Sequence, residues 1–80
     1  VLVVDVRTPE EYASGKIGNA INIDFYKDSF QDEISKLDKT KTVLIYCKSG
    51  GRSGKTLTMM NKMGFTTVLE LEGGYENWKN

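Results

Sequence analysis

Eighty residues leave room for one small domain with a modest core. Eleven basic residues balance eleven acidic ones, so no net field draws the chain to nucleic acid or an anionic membrane, and no apolar run nears the roughly 20 residues of a membrane span. One cysteine and no histidine exclude Cys-His and Ser-His-Asp mechanisms, an intrachain disulfide and a zinc site of the usual ligands.

Val1 to Val4 is a continuous β-branched and apolar run, suited to a strand buried on both faces. Asp5-Val6-Arg7 leads off its carboxyl end. Thr8-Pro9-Glu10-Glu11 is a helix start: Thr8 caps, Pro9 fits the first helical position, and Glu11 completes a capping box. Gly15 stops this helix early. Arg7 and Glu11, four apart, are expected to pair.

Ala20 to Ile23 reads as a second short strand. Ser29 to Leu37 reads as a helix with Phe30, Ile34 and Leu37 on one face. Lys39-Thr40-Lys41 is a polar turn, and Thr42 to Tyr46 is the third and most hydrophobic strand, expected at the sheet centre. Ser53 to Met63 reads as a third helix with Leu57, Met60 and Met63 inward, ended by Gly64. Thr67 to Leu71 is a fourth strand, Gly73-Gly74 a turn, and Tyr75 to Lys79 a terminal helical turn with Tyr75 and Trp78 as core anchors. This alternation predicts an α/β fold: a small open parallel β-sheet with helices on both faces.

Cys47 carries the functional signal. It ends the third strand and enters a glycine-rich loop, Lys48-Ser49-Gly50-Gly51-Arg52-Ser53, before a helix. Gly50 and Gly51 allow a tight turn with converging N–H groups, a nest that binds anions. The helix N-terminus, Lys48 and Arg52 add positive charge. Together they should hold the thiol below its free value of about 8.5 and ready it as a nucleophile. A lone cysteine at a strand end is ordinarily a small buried hydrophobe; the glycines and cations tip the reading toward catalysis. Asp5, at a neighbouring strand end, is expected to orient the loop N–H groups.

Two other readings use the same residues. Ser49 to Thr56 imitates a phosphate-binding P-loop, but its first glycine position is Ser49. Lys55 is more simply a solvated lysine in the first helical turn. Cys47 followed by four residues and Arg52 also imitates a cysteine-dependent phosphatase, whose loop is one residue longer. The shorter loop suits a single sulfur better than a tetrahedral phosphate.

Four ordered segments resemble the rhodanese-like family of sulfurtransferases across nearly the whole chain. They are Asp5 to Tyr12; Gly15 to Ile17 with Ala20 to Ile23; Cys47 to Ser53; and Gly64-Phe65 through Val68 and Leu71 to Trp78. The resemblance implies a double displacement. A Cys47 thiolate takes the outer sulfur of a donor such as thiosulfate, and the resulting persulfide yields it to a thiol or cyanide acceptor. It makes Cys47 catalytic, Lys48 to Ser53 substrate-binding, and Asp5 and Arg7 supports of the loop. It calls for no metal or organic cofactor, no nucleic acid and no membrane.

Where the family commonly carries His-Ile-Pro-Gly, this chain has Lys16-Ile17-Gly18-Asn19. Losing the proline loosens that turn, though Asn19 tolerates left-handed geometry almost as glycine does, and the change is expected to alter substrate or partner preference. Residues 1–80 are expected to form a single domain trimmed at its N-terminus, cytoplasmic, with the periplasm or a place within a larger protein as alternatives. The alternative functions are a non-catalytic interaction module of the same fold and a cysteine-dependent phosphatase or arsenate reductase.

Overall fold

The computed structural model describes residues 1–79. Strands and helices alternate: β1 (Leu2–Asp5), α1 (Pro9–Ala13), β2 (Ile21–Asn22), α2 (Phe30–Ser35), β3 (Thr42–Tyr46), α3 (Gly51–Met63), β4 (Thr67–Glu70) and α4 (Gly74–Trp78). All strand pairs are parallel, in the order β2-β1-β3-β4. The most hydrophobic strand, β3, thus shares the interior of the sheet with β1. From β1 the chain moves outward to β2, and from β3 it moves outward the other way to β4. The carboxyl ends of β1 and β3 therefore flank the point where the winding reverses, where open α/β sheets bind ligands.

Alternation along the strands sends successive side chains to opposite faces. Val4 and Val6 of the first run, with Val43, Ile45 and Cys47 of the third, join Phe30, Ile34, Met60 and Phe65 in one buried apolar cluster. Leu37, Leu57 and Met63 pack on its margin, so the periodicity of α2 and α3 is borne out. The other face is polar and aromatic. Asp5, Arg7 and Tyr46 are buried there, and Tyr75 of α4 stacks on Tyr46 with ring centroids 6.3 Å apart. Helices thus cover both faces.

Several element details differ from expectation. Val1 is 89% exposed and precedes β1. Trp78 is half exposed and leans on Tyr75, so it closes the edge of α4 and is not a core anchor. Gly18, with φ +50°, takes the left-handed position in the second turn, and no non-glycine residue among those described has positive φ. Asn19 is spared that role because glycine pays no Cβ penalty there. Among the described residues no helix is long and apolar enough to cross a membrane.

Candidate active site

Thr8 caps α1 as its sequence predicts: its hydroxyl accepts the Glu11 N–H, and the Glu11 carboxylate accepts the Thr8 N–H at 2.9 Å. The capping box also aims Glu11 outward from the helix start. There it meets not Arg7 but Arg52. The expected Arg7–Glu11 pair does not form, because Arg7 precedes α1 and the i,i+4 geometry of a helix does not reach it.

Arg7 instead folds back onto Asp5. Its Nε lies 3.0 Å from both carboxylate oxygens and its Nη2 2.7 Å from Oδ2. Both residues are buried, Asp5 completely. The Tyr46 hydroxyl donates to Asp5 Oδ2 at 2.9 Å and accepts the Ile17 N–H at 3.1 Å. Burial pushes the Tyr46 pKa up to about 12; the Ile17 N–H opposes this and the bond to Asp5 reinforces it. The guanidinium also lies 4.2 Å from the Tyr75 ring centroid, a cation–π contact. Asp5 was expected to orient the N–H groups of the cysteine loop. Its acceptor oxygens are taken by Arg7 and Tyr46, so it braces the residue before Cys47 and not the loop amides.

Cys47 follows Tyr46 and is 1% exposed. Gly50 takes φ +120°, a region costly to residues with a Cβ, and this folds its N–H back to Sγ at 3.0 Å. The Ser53 hydroxyl lies 3.4 Å from Sγ. Burial pushes the thiol pKa up. The Ser53 hydroxyl and the backbone N–H groups of Ser53, Gly50 and Ser49 more than offset it, leaving Cys47 below its ordinary value. The cradle is thus built from N–H groups, as the glycines imply, more than from the cations. Arg52 reaches Glu11 through two bonds, at 2.8 and 3.1 Å, so much of its charge is met there. Lys48, Ser49 and Gly51 are exposed on the rim.

Helix α3 begins at Gly51, two residues earlier than its periodicity suggests. Gly54-Lys55-Thr56 therefore lies within the helix, with the Gly54 N–H bonded to the Gly50 carbonyl. Lys55 is exposed, as the solvated reading expects, and the P-loop imitation has no loop of its own.

The closing Gly73-Gly74 pair supplies a support that no local pattern announced. At φ +69° Gly74 lies so close to the cysteine loop that a Cβ would sit 2.5 Å from the Lys48 carbonyl oxygen and 2.6 Å from that of Cys47. The next two N–H groups donate to those carbonyls: Tyr75 to Cys47 at 2.8 Å and Glu76 to Lys48 at 3.0 Å. With its carbonyls anchored, this segment leaves the loop N–H groups facing the sulfur. Beside it a cavity of about 310 Å³ opens between α1 and α4, lined by Lys48, Lys79, Arg7, Glu11, Tyr75 and Glu76. Among the described residues no cluster of acidic, cysteine or histidine side chains has the makings of a metal site.

The rhodanese-like domain family model matches residues 1–80. The sulfurtransferase of Allochromatium vinosum is 37% identical over 78 residues, covering 98% of this chain and 71% of that protein. The thiosulfate sulfurtransferase GlpE of Coxiella burnetii is 35% identical over 79 residues, covering 99% and 72%. The crystal structure of a rhodanese-like domain protein from Staphylococcus aureus superposes with a TM-score of 0.85 at 36% identity, covering 98% of this chain and 74% of that one.

Proposed function

The chain belongs to the rhodanese-like domain family, and we propose that it is a sulfurtransferase that carries a sulfane sulfur on Cys47. The single observation carrying this reading is the cradle around Sγ. A Gly50 N–H at 3.0 Å and the Ser53 hydroxyl at 3.4 Å stabilise negative charge on the sulfur without a histidine.

The reaction runs in two displacements. The Cys47 thiolate attacks the outer sulfur of a donor such as thiosulfate. The new Sγ–S bond forms as the donor's S–S bond breaks, and sulfite leaves with the electron pair. The persulfide's outer sulfur bears the charge and faces the loop rim. An acceptor thiolate or cyanide then attacks that outer sulfur, and Cys47 leaves as thiolate, back onto the Gly50 and Ser53 donors. Every step moves an electron pair between sulfur atoms and their partners, so neither redox cofactor nor metal enters the balance.

The remaining residues divide by position. Lys48 on the rim and Lys79 across the adjoining cavity attract the anionic donor. Ser49 and Gly51 shape the mouth of the loop. Arg52, held by Glu11, fixes the first turn of α3 and contributes little direct clamping. Asp5 and Arg7 hold Tyr46 and thereby the strand end that carries Cys47. The acceptor is a small-molecule or protein thiol, and residues 1–80 belong to a single rhodanese-like domain.

Intact mass after thiosulfate treatment tests the reading. A gain of one sulfur atom is expected, reversed by cyanide with release of thiocyanate and absent in Cys47→Ser. No gain with thiosulfate or other sulfane donors would overturn it in favour of a non-catalytic interaction module. Turnover of an aryl phosphate or arsenate would point instead to the phosphatase-type alternative.

A further inference from the structure

One carboxylate at the active-site end of the sheet has no part in the displacements above. Glu70 ends β4, the strand beside β3. Its Oε2 lies 2.5 Å from the Ser53 hydroxyl oxygen, the same oxygen that lies 3.4 Å from Cys47 Sγ. The carboxylate sits beneath the turn of the loop: a Cβ on Gly50 or Gly54 would stand 3.9 or 3.8 Å from Oε2. Ser53 is fully buried, so its hydroxyl is shared among protein groups.

A hydroxyl has one proton to give. Three acceptors surround this one: the Glu70 carboxylate, the Gly50 carbonyl at 3.3 Å and Cys47 Sγ. The carboxylate is the nearest and the strongest. The carboxylate therefore competes with the sulfur for the one proton that the Ser53 hydroxyl can donate to a thiolate.

We infer that Glu70 is a positioning residue that sets the ionisation of Cys47 by competing with its thiolate for the single proton of the Ser53 hydroxyl. The inference rests on the reading of Cys47 as the nucleophile. The carboxylate draws the hydroxyl away from the sulfur, and a neutral amide in its place leaves the hydroxyl freer to donate to the thiolate.

The other charged and titratable groups near the thiol are few. Lys48 lies in the loop, Arg52 and the exposed Lys55 in α3, and Glu11 of α1 on Arg52. From α4, Tyr75 and Glu76 approach through their backbone N–H groups. From β1, Asp5 is engaged by Arg7 and Tyr46. Among the described residues none of these shares a hydrogen bond with the Ser53 hydroxyl or the Glu70 carboxylate.

The test is the pH dependence of Cys47 alkylation by iodoacetamide in the wild type, Glu70→Gln, Ser53→Ala and the double variant, with circular dichroism as a check on folding. Glu70→Gln is expected to lower the thiol midpoint by about one pH unit. In the Ser53→Ala background the same change should have a small residual effect, since the hydroxyl that couples the two groups is gone. An unchanged midpoint in Glu70→Gln, or a full shift surviving in the Ser53→Ala background, would overturn the inference. If the double variant does not fold, the carboxyl 13C titration of Glu70 decides. A second inflection at the thiol midpoint, absent in Cys47→Ala, is expected, and a single carboxylate inflection overturns the inference. Alkylation needs no sulfur donor, so its outcome is independent of whether thiosulfate loads Cys47.

Discussion

Arg52 forks onto Glu11, with Nη1 2.8 Å from Oε1 and Nη2 3.1 Å from Oε2, across 41 residues of sequence. The pair ties the first turn of α3, next to the cysteine loop, to the first turn of α1. It also removes the arginine from the role of an open phosphate clamp. The hydrogen bonds from Arg52 are the main reason the Glu11 carboxyl falls to about 2; burial opposes them and the Thr8 N–H assists.

This sets an acid limit on stability. The folded pKa of Glu11 lies below its ordinary value of 4.5, so the unfolded chain binds the proton first. The stabilisation is present above the ordinary value and drains away as pH falls toward about 2. The urea midpoint is expected to drop across that window in the wild type. Glu11→Gln should cost about 1 kcal/mol at neutral pH, since the pair is partly exposed, and should flatten the acid fall. An acid limb of unchanged depth in the variant would assign it to other carboxylates.

Gly74→Ala should damage both fold and activity. The new Cβ would collide with the Cys47 and Lys48 carbonyls at a left-handed φ, and backbone strain of this kind alone costs about 1–3 kcal/mol. Gly64→Ala is the control: its φ is +93° and a Cβ there meets nothing within 4 Å. Both should lower Tm. Only Gly74→Ala should depress sulfur transfer at temperatures where the variant stays folded, and equal activity in the two would dissociate this contact from the cradle.

Asp5→Asn leaves the buried Arg7 guanidinium without its counter-charge. Breaking such a pair costs about 3–5 kcal/mol. Tyr46→Phe removes only the hydroxyl between Asp5 and the Ile17 N–H, for about 1–2 kcal/mol. Urea denaturation should rank the two in that order; a reversed ranking would mean that Tyr46, not the ion pair, braces the end of β1.

Lys48→Ala is expected to raise KM for thiosulfate several-fold and leave the alkylation midpoint of Cys47 nearly unmoved, because the thiolate is stabilised by N–H groups and the Ser53 hydroxyl. The KM effect should shrink as salt screens the exposed charge. A large fall in kcat with KM unchanged would place Lys48 in the chemical step.

Much of the chain was legible because its signals are local. Thr8, Pro9 and Glu11 announce the start of α1 within four residues, and the structure contains that capping box. Phe30 and Ile34 mark the buried side of α2 by their spacing. Cys47 and its loop are contiguous, so the strand end, the glycine turn and the helix start read as one cradle. Element ends were less sharp: α3 runs two residues further toward Cys47, since Gly51 and Arg52 carry no hydrophobic periodicity.

Composition determined what chemistry is open to this protein: with one thiol and no imidazole, a nucleophilic Cys47 has to be ionised by its surroundings and not by a paired histidine. Local pattern determined the alternation of strands and helices, and with it the parallel sheet. The tertiary structure decided the partners. Arg7 had Asp5 two residues before it and Glu11 four after, and took Asp5; Glu11 went to Arg52. Gly74, far along the chain, became the floor of the Cys47 loop, and Glu70 came to share a hydroxyl with the sulfur. A parallel sheet gathers the carboxyl ends of distant strands at one edge, so these contacts join segments separated by one or more crossovers. No short window of sequence records which of several oppositely charged or hydrogen-bonding neighbours such a crossover will deliver.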